Sequence, residues 1–242
     1  RYGSLLKFVK SFLKRSLAYQ PLADTQFPRQ FIASVEDGKL PYCPPQEGDL
    51  LHELITQHNC VDCLEIGLAT GSTAIYMLSA LQNKGRVISI DQPAGEWNET
   101  GKANLQKSGD WTNHQLILEN SVNVIPELFK ANEKFDLIFV DGWKTFDHMA
   151  AEVYYLTRML RLNKFIVFDD AAMPSVNKII NMMLKYYGYR EVDYSLYNQS
   201  WRLRLFQILT TKSFRRPYRA LQKVVDEADL PVTRDWNFFA NF

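Results

Sequence analysis

Val61-Asp-Cys-Leu-Glu-Ile-Gly-Leu-Ala-Thr-Gly-Ser72 decides the fold. An apolar run carrying an acid near its end passes through two glycines into a helix-forming segment. This predicts a buried strand, a tight turn and a helix starting near Ser72. In an open α/β sheet such a turn lies at the carboxyl end of a strand, where ligands dock. Gly67 and Gly71 permit positive φ and close backbone approach, which a side chain would block. The helix start aims its free amides at the same pocket. Glu65 adds a carboxylate, which suits a cationic ligand and repels a pyrophosphate.

Outward from that turn the chain alternates. Strands are predicted at Val61–Ile66, Arg86–Asp91, Gln115–Glu119, Phe135–Asp141 and Phe165–Asp169. Helices are predicted at Ser72–Gln82, Asn98–Ser108, Val122–Lys130, Thr145–Leu160 and Ser175–Tyr187, preceded by one from about Gln46 to His58. Strands separated by helices make a parallel sheet covered on both faces. Tyr189–Tyr194 and Trp201–Leu209 follow without an intervening helix, so they read as an antiparallel pair at one edge. Ser4–Tyr19 has helical apolar spacing with lysines on the other face, which fits an accessory helix, a membrane-surface contact or a dimer element. Residues 21–45 read as a turn-rich connector. The chain therefore divides into an N-terminal helix and connector over 1–45, a ligand-binding domain over 46–210 and a basic, aromatic tail over 211–242.

Composition narrows the function. With 242 residues, 46% of them hydrophobic, the chain can bury one substantial core. A formal net charge of +1 offers no global field for nucleic acid. Its three cysteines are too few for a disulfide framework and point to a reducing, cytoplasmic setting. Cys60-x-x-Cys63 has no second pair to complete a metal site. No apolar run is long enough to span a membrane. A start at Arg1 leaves room for a removed targeting segment.

The strand ends carry the chemistry. Asp91 closes the second strand, where a carboxylate can accept both hydroxyls of a ribose. Asn120 and Ser121 follow the third, where they read either an adenine edge or cap a helix. Asp141 ends the fourth strand, and Asp169-Asp170 the fifth. Neighbouring strands lie about 4.8 Å apart, so these three acids converge if the strands are adjacent. Their mutual repulsion is relieved by a divalent cation, and all-oxygen ligands favour magnesium, calcium or manganese. The plainer alternative is a helix-capping Asp141 with one of the other two facing water. Lys144, three residues beyond Asp141, is placed as a general base. Trp143 can wall the cofactor or acceptor pocket, and His148 is a supporting group or substitute base.

Together these residues resemble class I S-adenosylmethionine-dependent methyltransferases, and within them the metal-dependent O-methyltransferases related to catechol O-methyltransferase and the macrocin-type sugar methyltransferases. The resemblance runs from about Val61 to Val176. It implies a Rossmann-like, seven-stranded, mostly parallel sheet with an antiparallel last strand. It implies that Glu65, Gly67, Ala69, Gly71 and Ser72 surround the methionine end of the cofactor, with Asp91 on the ribose, Asn120 and Ser121 near adenine, and Asp141 and Trp143 alongside. It places magnesium on Asp141, Asp169 and Asp170. Lys144 matches the catalytic lysine of the Asp-x-Trp-Lys arrangement, and a small-molecule hydroxyl is the acceptor. Ala69 stands where a glycine is often found. Asn198 and Gln199 stand where the catechol enzymes carry a glutamate, which disfavours a catechol. A metal-independent N- or O-methyltransferase, a nicotinamide dehydrogenase and a non-catalytic binding protein are the rivals. The dehydrogenase lacks its glycine spacing here.

Overall fold

The structure, a computed structural model, describes residues 21–95, 97–192 and 217–226. The expected N-terminal helix at Ser4–Tyr19, the expected strand at Trp201–Leu209, and Asn198 and Gln199 lie outside the described residues.

Seven strands form one sheet among the described residues. They are β1 (Asp62–Ile66), β2 (Arg86–Asp91), β3 (His114–Leu118), β4 (Phe135–Val140), β5 (Leu160–Phe168), β6 (Tyr189–Glu191) and β7 (Arg219–Lys223). Their order is β3-β2-β1-β4-β5-β7-β6. The first five run parallel, and β7 is antiparallel to both β5 and β6. The helices are α1 (Gln26–Val35), α2 (Pro45–Gln57), α3 (Ser72–Leu81), α4 (Asn98–Ser108), α5 (Ser121–Lys130), α6 (Phe146–Met159) and α7 (Pro174–Tyr186).

The sheet is buried on both faces, and the pleat divides its side chains between two cores. On β4, Leu137 and Phe139 join Leu50, Leu54, Ile75 and Leu78 from α2 and α3. Ile138 and Val140 point the other way, toward Val153, Leu156, Ile179 and Ile180 from α6 and α7. A period of two with apolar residues at every position is what a strand between two helical layers requires. Pro45 and Pro174 sit in the first turns of α2 and α7, where a missing N–H costs nothing.

Three elements depart from the sequence expectation. The supposed connector holds α1, whose Pro28 is buried within the first turn and whose Ile32 is buried below it. Proline reads as a breaker, but at that depth no intrahelical bond is lost. The fifth strand starts at Leu160 rather than Phe165, because Leu160 pairs with Phe135 before a register shift. The strand that completes the sheet is Arg219–Lys223, beyond residue 210 in the stretch read as a tail. Its charges hid it. Lys223 is buried, with Nζ donating to the carbonyls of Thr157 at 2.9 Å and Leu160 at 3.1 Å.

Candidate functional site

The carboxyl ends of β1, β2, β4 and β5 meet at one rim, and the β1 turn is its floor. Gly67 has φ 97°, and a Cβ there would stand 2.6 Å from the carbonyl oxygen of Asp141. Only glycine lets the end of β1 pass so close to the end of β4. Asp91 then staples the loop. Its Oδ2 accepts from the amides of Leu68 (3.0 Å) and Ala69 (2.8 Å), and Oδ1 from Gln92 (2.7 Å). From α4, Asn104 Nδ2 donates to the Thr70 carbonyl at 3.0 Å. Gly101 permits that packing, since a Cβ there would meet the Ala69 carbonyl at 2.4 Å.

Above this loop opens a cleft of about 250 Å³, lined by Gly67, Ala69, Asp91, Trp97, Ser121, Asp141, Trp143 and His148 among others. Trp143, 59% exposed, forms an aromatic wall of this cleft. Ser121 Oγ donates to Glu152 Oε1 at 2.5 Å and lies 3.0 Å from His148 Nε2. His148 Nε2 is also 3.2 Å from Glu152 Oε1. Burial raises the Glu152 carboxyl, while the hydroxyl of Ser121 and the imidazole oppose it.

Not every expected residue reaches the cleft surface. Glu65 is fully buried beneath the loop, accepting from the Thr73 hydroxyl and, at 2.5 Å, from Ser89 Oγ. Burial pushes its carboxyl up to about 8 against those two donors. Behind it, Ser89 Oγ lies 2.9 Å from His114 Nε2. Asn120 turns inward to its own helix, its Oδ1 accepting from the Val122 amide at 3.2 Å, so the capping alternative is the one seen. Gly71, with φ 75°, is the N-cap of α3. Cys60 and Cys63 are free and buried, and burial holds the Cys60 thiol up at about 12.

The acids do converge. Asp141, Asp169 and Asp170 each bring one carboxylate oxygen within 4.8 Å of the others. Asp170 adopts φ 51°, a left-handed conformation uncommon outside glycine. Lys144 Nζ stands among them, 2.7 Å from Asp141 Oδ1 and 3.7 Å from Asp170 Oδ2. Burial raises the Asp141 carboxyl, Lys144 opposes that, and Asp169 adds to it. A second recess of about 100 Å³ runs from this cluster over the glycine loop to Cys43, Glu47, Ser72 and Thr73. The Cys43 amide donates to Ser72 Oγ at 2.8 Å. Cys43, Glu47, Trp97, Gly101 and Glu152 were not singled out from sequence. The spacing of His148 and Glu152, four apart on α6, was the one local signal available.

Residues 32–176 match the family model described as O-methyltransferase. The chain belongs to the O-methyltransferase family. Among relatives of this O-methyltransferase-family chain, the caffeoyl-CoA O-methyltransferase of Populus kitakamiensis is 28% identical over 131 residues, 52% of this chain and 54% of that one. A catechol O-methyltransferase of Niastella koreensis is 26% identical over 101 residues, 41% of this chain and 45% of the relative. The chain thus spans about half the length of these curated relatives. The O-methyltransferase TomG of Streptomyces achromogenes, involved in tomaymycin synthesis and solved in complex with SAM, superposes with a TM-score of 0.60 at 17% identity. It covers 90% of this chain and 96% of its own. At that identity the likeness shows the fold, and the fold is that of an O-methyltransferase.

Proposed function

We propose that this chain transfers a methyl group from S-adenosylmethionine to a hydroxyl oxygen of a small molecule, with a magnesium-type cation held by Asp141, Asp169 and Asp170. The observation that carries the reading is the rim itself. Three carboxylate oxygens lie within 4.8 Å of one another beside the cleft, with a lysine amine in their midst. Family membership and a neighbour of the same fold solved with SAM support the donor.

The residues fit both groups. Asp91 lines the cleft, and after the three amide bonds its Oδ1 keeps acceptor capacity for one ribose hydroxyl. Ser121, held by His148 and Glu152, and Trp143 offer a polar edge and a flat face to an adenine. An all-oxygen triad of aspartates suits a hard divalent cation. When bound, the donor supplies a sulfonium-activated methyl group, and the cation supplies Lewis acidity toward the acceptor hydroxyl. Lys144 Nζ, 2.7 Å from Asp141 Oδ1, is the group placed to take the hydroxyl proton at this rim. Trp143, at the cleft mouth, would shield a bound donor from water and orient the acceptor. His148 acts through Ser121 in this account, because both contacts of its Nε2 point there and to Glu152.

Calorimetry with S-adenosylhomocysteine, with and without magnesium, followed by turnover on a hydroxyl panel, tests the reading. Micromolar binding of the nucleoside supports the donor, and absence of binding ends it. One observation favours a metal-independent variant: Lys144 already bridges Asp141 and Asp170 and offsets part of their charge. Full turnover in excess chelator would select that variant. Among the described residues no helix is long and apolar enough to cross a membrane.

A further inference from the structure

We infer that Glu47 binds the amino-acid end of the donor, its carboxylate pairing with the α-ammonium; this rests on reading the cleft as an S-adenosylmethionine site. Glu47 lies in the first turn of α2 and is only 3% exposed. Its Oε1 is buried without a protein donor, Oε2 has a weak contact at 3.8 Å from Cys43 Sγ, and the carboxyl lies in hydrogen-bond reach of Asp169, an acceptor like itself. A buried carboxylate oxygen without a donor is costly, and native structures keep few of them without a reason.

The recess in front of Glu47 supplies the reason. It holds about 100 Å³ and shares Gly67, Ala69 and Asp141 with the larger cleft, so one ligand lying over the glycine loop can occupy both. Its walls differ in charge. Ser72 and Thr73, at the N-terminal turn of α3, offer a hydroxyl and free amides to a carboxylate. Glu47 faces them with an acid, which suits an ammonium. An α-amino acid carries those two charges on one carbon. The group whose oxygens lie within 4.8 Å of one another comprises Asp141, Asp169 and Asp170 without Glu47, which meets that group through Asp169.

The test compares two ligands on wild type and Glu47→Gln. S-Adenosylhomocysteine has the amino-acid end, and 5′-methylthioadenosine keeps the nucleoside without it. Loss of a charge-assisted buried bond should weaken S-adenosylhomocysteine about ten- to a hundredfold. Binding of 5′-methylthioadenosine should stay unchanged, which also certifies the folded cleft. Equal weakening of both ligands, or no weakening of either, overturns the role of Glu47 while leaving the donor reading intact. A wild type that binds neither ligand refutes the donor reading itself. Should Glu47→Gln fail to fold, Glu47→Asp must show the same selective loss, since its shortened carboxylate withdraws from the ammonium.

Discussion

Lys144 and His114 carry the sharpest tests on single side chains. Lys144→Met removes the proposed base and leaves the nucleoside end of the cleft untouched. Turnover should fall by about 10²–10⁴ while S-adenosylhomocysteine affinity holds, as steady-state rates and calorimetry would show. Unchanged turnover would remove Lys144 from the chemistry. His114 tests pH. Burial lowers its imidazole from 6.5 to about 4. Between those values the unfolded chain binds a proton that the native state refuses, so stability rises with pH through this window. The neutral ring's contribution is complete above 6.5 and disappears as pH falls toward 4. Urea melts at pH 7 and pH 4.5 should show His114→Gln losing about 2–3 kcal/mol less than wild type on acidification. Equal losses would refute the assignment. The rim aspartates were legible in sequence because each closes an apolar run, and run ends locate the carboxyl edge of a sheet. Glu65 was legible as a strand-end acid, but its direction was not. The pleat turns it under the loop, onto Thr73 and Ser89.

Elements set these side chains in place, and the β1–α3 turn is the tightest junction. Gly67→Ala puts a methyl group 2.6 Å from the Asp141 carbonyl at a φ of 97°. Neither strand can retreat, since Asp141 N donates to the Ile66 carbonyl at 2.8 Å. The variant should lose about 2–4 kcal/mol, read by denaturant midpoint, and should lose nucleoside binding with it. Wild-type stability would show that the loop yields. The alternating strands and helices from Asp62 to Tyr186 were legible because both faces of a parallel sheet impose apolar runs of fixed length. α1 was not, because its proline falls in the one turn where proline is harmless. β7 was not, because Lys223 finds two carbonyls inside the fold, a pairing made by residues more than 60 positions earlier.

Across the whole molecule, the proposed cation site ties ligation to stability. A cation that binds only the folded arrangement stabilises it by mass action. Magnesium at millimolar concentration should raise the melting temperature of wild type and leave Asp169→Asn unmoved. Identical shifts in both proteins would show that the acids hold no ion. Donor recognition, the acidic rim and the two cores all depend on β4 and β5 lying side by side, and the flank of β5 is covered by β7. The amide of Ala171, just past the acids, donates to the Pro217 carbonyl at 2.6 Å.

That strand order has a consequence for biosynthesis. Among the described residues, β6 pairs with the sheet through β7, although β7 is made nearly thirty residues later. Until residues 219–223 leave the ribosome, β5 and the segment 189–191 both lack the strand that pairs with them among the described residues. Nascent chains stalled before that point should leave residues 189–191 open to protease, and protect them once the closing strand emerges.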